Sequence, residues 1–281
     1  MTSIVSPEDW TRTVISSLDR PETSPHGDPL PRFPDAVLQA NTTGLSGEAA
    51  VRQAAAFHDD VVATMATAGA PLRPGQQVLD FGCGWGRISR MFLRDVTAGD
   101  IHGIDVDPDF VALCRELFAS DNFTTCPPMP DGSLRAGSFD LVVAYSVFSH
   151  LSQAAATAWL QEFHRVLKPG GFVGFTTRHE SFFGYLDWAR TAPGVDGYTR
   201  ALGELFDDTA VPRAALHRGE FVHATAGGVS GGGVRNESFY GESWIPQAWL
   251  EREFANQFEC VASCFDPARY DQIAYVLRKR A

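Results

Sequence analysis

The chain lacks most of what would mark a secreted or membrane-bound protein. Among its 281 residues only five are cysteine, an odd number with no paired framework. Cys83, Cys114, Cys126, Cys260 and Cys264 are scattered, which fits free thiols in a reducing compartment. Cys260-x-x-x-Cys264 has no second ligand pair at metal spacing, so buried strand thiols are expected there and no metal. No apolar run reaches the ~20 residues of a membrane span, and the N-terminus shows no signal-peptide pattern. A soluble cytoplasmic protein with no membrane partner is expected. Positive charge is also scarce: 23 Lys and Arg against 34 Asp and Glu give a formal net charge of −11, with no basic cluster. Such a surface repels a phosphate backbone, so no nucleic-acid partner is expected. There are no internal repeats, and the length suits one large α/β domain with additions.

What is present is concentrated in Val78-Leu79-Asp80-Phe81-Gly82-Cys83-Gly84-Trp85-Gly86-Arg87-Ile88. Val78 and Leu79 read as the end of a buried strand. Three alternate glycines make a turn that brings the backbone close to something, and Ile88, Met91, Phe92 and Leu93 have helical spacing. Strand, glycine turn and helix N-terminus form a cradle for a nucleotide-like ligand. Ile101-His102-Gly103-Ile104-Asp105 is a second strand ending in an acid, placed where a ribose diol would be held. The turn reads G-x-G-x-G, which departs from the G-x-G-x-x-G of nicotinamide-dinucleotide sites.

Asp80 to Gly86 resembles motif I of the class I S-adenosylmethionine-dependent methyltransferases. Gly103-Ile104-Asp105, Ser138-Phe139-Asp140-Leu141-Val142-Val143 and Leu167-Lys168-Pro169-Gly170-Gly171 resemble the later motifs of that superfamily, in its order, over roughly residues 48–178. The resemblance implies a doubly wound, mostly parallel, seven-stranded Rossmann-like sheet with S-adenosylmethionine as cofactor. It implies donor contacts from Asp80, Phe81, Gly82, Cys83, Gly84, Gly86 and Arg87, from Asp105 and Val106, and from Tyr145 and Ser146 after the fourth strand. Many members carry an acid against the adenine; Thr125 or Cys126 stands at that position here, so a backbone amide is the alternative contact.

The end of the fourth strand is chemically dense. His150 lies just beyond Tyr145-Ser146, and a neutral imidazole there could take a proton from an acceptor during transfer; capping a helix is the plainer role. Arg178, at the end of the fifth strand, has a fork of donors for an anionic substrate group. Residues 179–243 are long for a connection and rich in aromatic side chains, which points to an acceptor pocket. Tyr240 is its candidate catalytic residue, and His223 and Glu242 its candidate substrate contacts. Gly227 to Gly233 reads as a flexible loop.

The domain boundaries follow. Residues 1–46 form an extension with a short helix opening at Pro7 and a proline-rich stretch, a candidate lid or an arm to a neighbouring subunit. Residues 47–281 form the methyltransferase domain, with a long helix from Gly47 to Gly69 on which His58 is a surface or capped histidine. Arg278-Lys279-Arg280 reads as a solvated tail. The expected reaction is methyl transfer to oxygen or nitrogen of a small or medium organic acceptor such as a secondary metabolite or sugar. A protein acceptor, a donor-binding protein without transfer, other chemistry of the same donor and a homodimer stay open.

Overall fold

The computed structural model describes residues 5–229 and 232–280, and several of its helices start where the sequence supplies a cap. α1 (Pro7–Ser16) has proline at its first position, and Ser6 accepts from the Asp9 N–H. α2 (Ala36–Thr43) is capped by Asp35 and ends at Gly44 in the left-handed region, and α3 (Gly47–Thr67) follows. Then come β1 (Val78–Phe81), β2 (Ile101–Asp105), α4 (Pro108–Phe118), β3 (Phe123–Thr125), β4 (Phe139–Ala144), α5 (Gln153–Val166) and β5 (Leu167–Arg178). The long connection carries α6 (Phe182–Thr191), α7 (Gly197–Gly203), α8 (Ala210–His217), β6 (Val222–Ala224) and β7 (Glu242–Trp244). α9 (Gln247–Glu253), β8 (Phe258–Cys264) and β9 (Gln272–Lys279) close the chain.

Seven strands form one sheet in the order β3-β2-β1-β4-β5-β9-β8. β1 pairs parallel with both β2 and β4, and β9 runs antiparallel between β5 and β8. This is the expected doubly wound architecture. Alternate strand residues feed two cores. Val78, Ile101, Leu141, Val143 and Phe172 face α1, α3 and α4, whereas Leu79, Ile104, Val142, Val173 and Phe175 face α5 and α9. Strand order reverses between β1 and β4, so a crevice opens there at the strands' carboxyl ends. β6 and β7 form a separate hairpin over a third core, in which Phe183 stacks on Trp244 at 4.5 Å.

Several expectations are corrected. The chain after the glycine turn forms only a 3₁₀ segment, Ser89–Arg94, with Met91 N–H bonding Ile88 O. Its outer side is covered by the N-terminal extension, which spends side chains on its carbonyls: Trp10 Nε1 donates to Met91 O at 2.9 Å, and His26 Nε2 meets Arg94 O at 3.1 Å. Arg90 fastens the same extension from within. Its buried guanidinium donates to Pro31 O and lies 3.9 Å from the Phe33 ring, and burial pulls its pKa down to about 9. The proline-rich stretch thus drapes over its own domain. His58 is fully buried, with Nδ1 on Asp59 and Nε2 on Asp95. Burial works against its charge, but the two carboxylates outweigh it and raise its pKa. Arg278 and Lys279 belong to β9, and Lys279 Nζ donates to Leu167 O, so these residues are no solvated tail. Ser230 and Gly231 of the expected flexible loop lie outside the described residues.

Candidate active site

The glycine turn is pinned to the neighbouring strand. Gly82 and Cys83 N–H groups both donate to Ile104 O, at 2.7 and 3.1 Å. Gly82, Gly84 and Gly86 all have φ in the left-handed region, which favours glycine. They differ in what surrounds them. A Cβ on Gly82 would lie 2.4 Å from Val147 and one on Gly86 2.3 Å from Phe118, whereas one on Gly84 would enter open space. The outer two glycines serve packing and the middle one borders a cradle. Gly84→Ala, strained by its positive φ alone, is therefore expected to keep the fold at a cost of about 1 kcal/mol while weakening any ligand in that cradle about tenfold or more. Gly86→Ala should lower the thermal midpoint further, because its Cβ would also clash with Phe118. Thermal melts with and without ligand separate the two effects.

Two buried acids face this turn. Asp105 Oδ2 accepts from the Gly84 N–H and Oδ1 from the Asp107 N–H, both at 2.9 Å. Burial pushes its pKa up, against these donors. Asp80 is 1% exposed; Ser89 Oγ donates to it at 2.6 Å, yet burial raises its pKa to about 6. Arg87 is buried with its guanidinium 4.7 Å from the Tyr145 ring and Nη1 donating to Gln53 Oε1 at 2.6 Å. The hydroxyl of Tyr145 and the indole N–H of Trp85 are buried with no partner among the described residues. An open cradle, two under-neutralised carboxylates and an orphaned hydroxyl fit a ligand that brings hydroxyl donors and positive charge.

The remaining donor candidates are placed unequally. Phe81 turns its ring into the core against Trp159 and Phe163, so only its backbone is available. Cys83 is buried, its thiol held well up by its contact with Cys114 and by burial. Val106 is half-buried and Thr125 exposed at the end of β3. The Cys126 N–H is spent on Asp105 O at 2.9 Å, which removes that amide as an adenine contact, and burial pushes its thiol up to about 12. Ser146 adopts φ 59°, an uncommon conformation for a residue with a side chain. Thr176 Oγ1 accepts its N–H at 2.8 Å and Gln272 Nε2 donates to its Oγ at 2.8 Å. This strained corner marks the end of β4.

A second polar cluster forms at the same rim, where the insertion returns to the sheet. Tyr240 pairs with Leu151 as an isolated bridge and stacks on His150, centroids 4.6 Å apart and planes within 4°. His150 Nδ1 lies 2.8 Å from Gly241 O and 3.3 Å from Glu242 Oε1. A carbonyl only accepts, so Nδ1 carries the proton and the lone pair of the neutral ring sits on Nε2. Glu242 is fully buried. Arg178 Nε donates to its Oε2 at 2.6 Å, and the Tyr198 hydroxyl donates to Oε1 at 3.3 Å. Burial alone would raise the Glu242 pKa, but Arg178 and then His150 outweigh it and hold it at about 2. Arg178 is thus engaged by a buried carboxylate, not presented to an anion. His223 Nδ1 donates to Ser243 Oγ at 2.8 Å, and Ser243 Oγ to Leu151 O at 2.6 Å. Burial lowers the His223 pKa and raises that of Tyr240 to about 12. Sequence reasoning did not single out Tyr198, Thr176 or Gln272. Each is joined to the site by tertiary pairing, and none sits in a motif.

Residues 78–171 match the family model described as a methyltransferase domain. The chain is 33% identical over 105 residues to the ribosomal protein L11 methyltransferase of Burkholderia thailandensis, covering 37% of this chain and 33% of that protein. It is 27% identical over 154 residues to a probable fatty acid methyltransferase of Pseudomonas putida, covering 52% and 35%. The chain thus spans about a third of the length of the curated relatives it matches. Among solved structures, an S-adenosylmethionine-dependent methyltransferase from Mesorhizobium loti superposes with TM-score 0.46 at 16% identity, over 76% of this chain and 95% of that one. Magnesium protoporphyrin IX methyltransferase from Synechocystis with bound SAH gives TM-score 0.45 at 18% identity, over 82% and 87%.

Proposed function

Since this chain carries a methyltransferase domain of the class I S-adenosylmethionine-dependent superfamily, we propose that it transfers a methyl group from that donor to an oxygen or nitrogen of a small or medium organic acceptor. The observation that carries this reading is the open cradle at Gly84, flanked by Asp80 and Asp105, opening on the same rim as a histidine whose Nε2 has no partner among the described residues. When bound, the donor supplies a methyl on a sulfonium, already a strong electrophile. The chain's residues then have three tasks. Asp105 accepts from the ribose hydroxyls with the lone pairs its two backbone bonds leave over. Gly84 lets the methionine part pass close to the backbone, and Asp80 balances positive charge there. His150 Nε2 takes the proton of an acceptor hydroxyl or amine, and Glu242 steadies the imidazolium so formed. Much of the acceleration comes from positioning and from excluding water.

The names of its relatives point to acceptors as different as a ribosomal protein and fatty acids, and so do not select one. The insertion supports a smaller acceptor, because Tyr240 covers one face of the His150 ring and Gly241 O its Nδ1 edge. Calorimetric titration with S-adenosylmethionine and S-adenosylhomocysteine tests the donor; no binding by the folded protein would overturn the reading. His150→Asn keeps a donor for Gly241 O but has no basic nitrogen. It is expected to slow turnover by about 10²–10⁴-fold with donor affinity unchanged. Unchanged turnover would remove the base role.

A further inference from the structure

We propose that Arg235, brought in by the insertion, completes the donor site by holding Asp105 ionised; this rests on the donor reading above. The segment from Gly232 to Gly241 touches both ends of the rim. At one end Tyr240 lies on His150. At the other, Arg235 Nη2 is 3.6 Å from Asp107 Oδ2, and its Cζ is 5.9 Å from the Phe110 ring. Asp107 is the N-cap of α4 and gives its own N–H to Asp105. Arg235 is therefore linked through Asp107 to the acid expected to hold the ribose. Its placement follows from the local turn: Gly232 and Gly233 both take positive φ, and the Arg235 N–H bonds Gly232 O at 3.1 Å. Its Nε is buried without a partner among the described residues, beside an open surface hollow that Asn236 and Ser238 also line.

The site needs such a cation. Asp105 faces Asp107 on its own loop, Asp80 and Cys83 from the glycine turn, Cys126 from the end of β3 and Tyr240 from the insertion, and none of these brings positive charge. Burial favours the protonated acid, which would lose an acceptor position for the diol. The Arg235 charge opposes that, and the pair is shielded enough to matter, with side-chain exposures of 32% for Arg235 and 20% for Asp107. Arg235 is thus a positioning residue that acts through Asp105 and Asp107.

The test uses the full chain with Arg235→Ala and Arg235→Lys, titrated calorimetrically with S-adenosylhomocysteine at about pH 6 and about pH 8. Arg235→Ala should weaken binding about tenfold at the lower pH and about threefold or less at the higher one, and lysine should restore most of the loss. In the ligand-free protein, the Asp105 carboxyl followed by ¹³C NMR should titrate at higher pH in the alanine variant. Unchanged affinity, or an equal loss at both pH values that lysine does not restore, overturns the proposal. If the wild-type chain binds no donor, the donor reading falls, and an unmoved Asp105 midpoint would then overturn Arg235's hold on Asp105 independently.

Discussion

Glu242→Ala is expected to cost about 3–5 kcal/mol of stability, the largest loss of any single substitution at the rim. The carboxylate is fully buried and stands between Arg178 and His150, with Tyr198 donating to it as well. Removing it leaves a buried guanidinium with Asp271, exposed and 3.9 Å away, as its remaining acid. For a chain of this length that loss corresponds to a fall of roughly 10 °C in the thermal midpoint. Glu242→Gln keeps the volume and one acceptor and should cost less. Exchanging both Arg178 and Glu242 for apolar residues of similar size should recover most of the stability while lowering turnover, because His150 loses its neighbour. Scanning calorimetry of the three variants checks this. A midpoint unmoved by Glu242→Ala would mean that solvent reaches the pair.

Asp80→Asn should do the opposite: raise stability and weaken donor binding. Asp80 titrates near pH 6 in the folded chain instead of near its ordinary 3.8. Between those values the folded chain holds a proton that the unfolded chain has lost. Stability from this group therefore falls as pH rises through the window, by about 3 kcal/mol in total, and stays lost above it. Asparagine removes the buried charge and with it that dependence. The gain near neutral pH stays below ~3 kcal/mol, because Arg87 loses a favourable neighbour. Donor affinity should drop by about tenfold or more, since a cationic ligand then meets one acid instead of two. In the wild type, affinity should tighten as pH rises through about 6 and then level off, as Asp80 becomes ionised. Melting curves and titrations across that range decide it. A variant that is less stable than wild type near neutral pH would contradict the account.

What could be read from the sequence was what local chemistry encodes. β1, the glycine turn and the acid at Asp105 are each set by a few adjacent residues, and so is the strand at 139–144. Tertiary cover decided the rest. Met91, Phe92 and Leu93 have helical spacing, but Trp10 and His26 take the carbonyls of that segment, and it winds as 3₁₀. His58 sits beside two aspartates in sequence and looks solvated; Asp95, far along the chain, makes it internal. Arg178 looks free until Glu242 is folded against it. Arg235 lay in a glycine-rich stretch with no periodicity, and only its approach to Asp107 gives it meaning.

The place of β9 in the sheet also sets an order in time. β5 has β4 on one side, made just before it, but its other edge waits for β9, which is synthesised after the whole insertion. A nascent chain that has reached Arg178 already contains the cradle at Gly84 and Asp105, yet still presents an open strand edge. Such an edge invites pairing with other chains until it is covered. The hairpin of β6 and β7, with its own small core around Trp244, emerges during that interval. The two halves of the rim are thus synthesised at different moments, the side with Gly84 and Asp105 first and the side with Glu242 later, and the last strand covers the edge of β5.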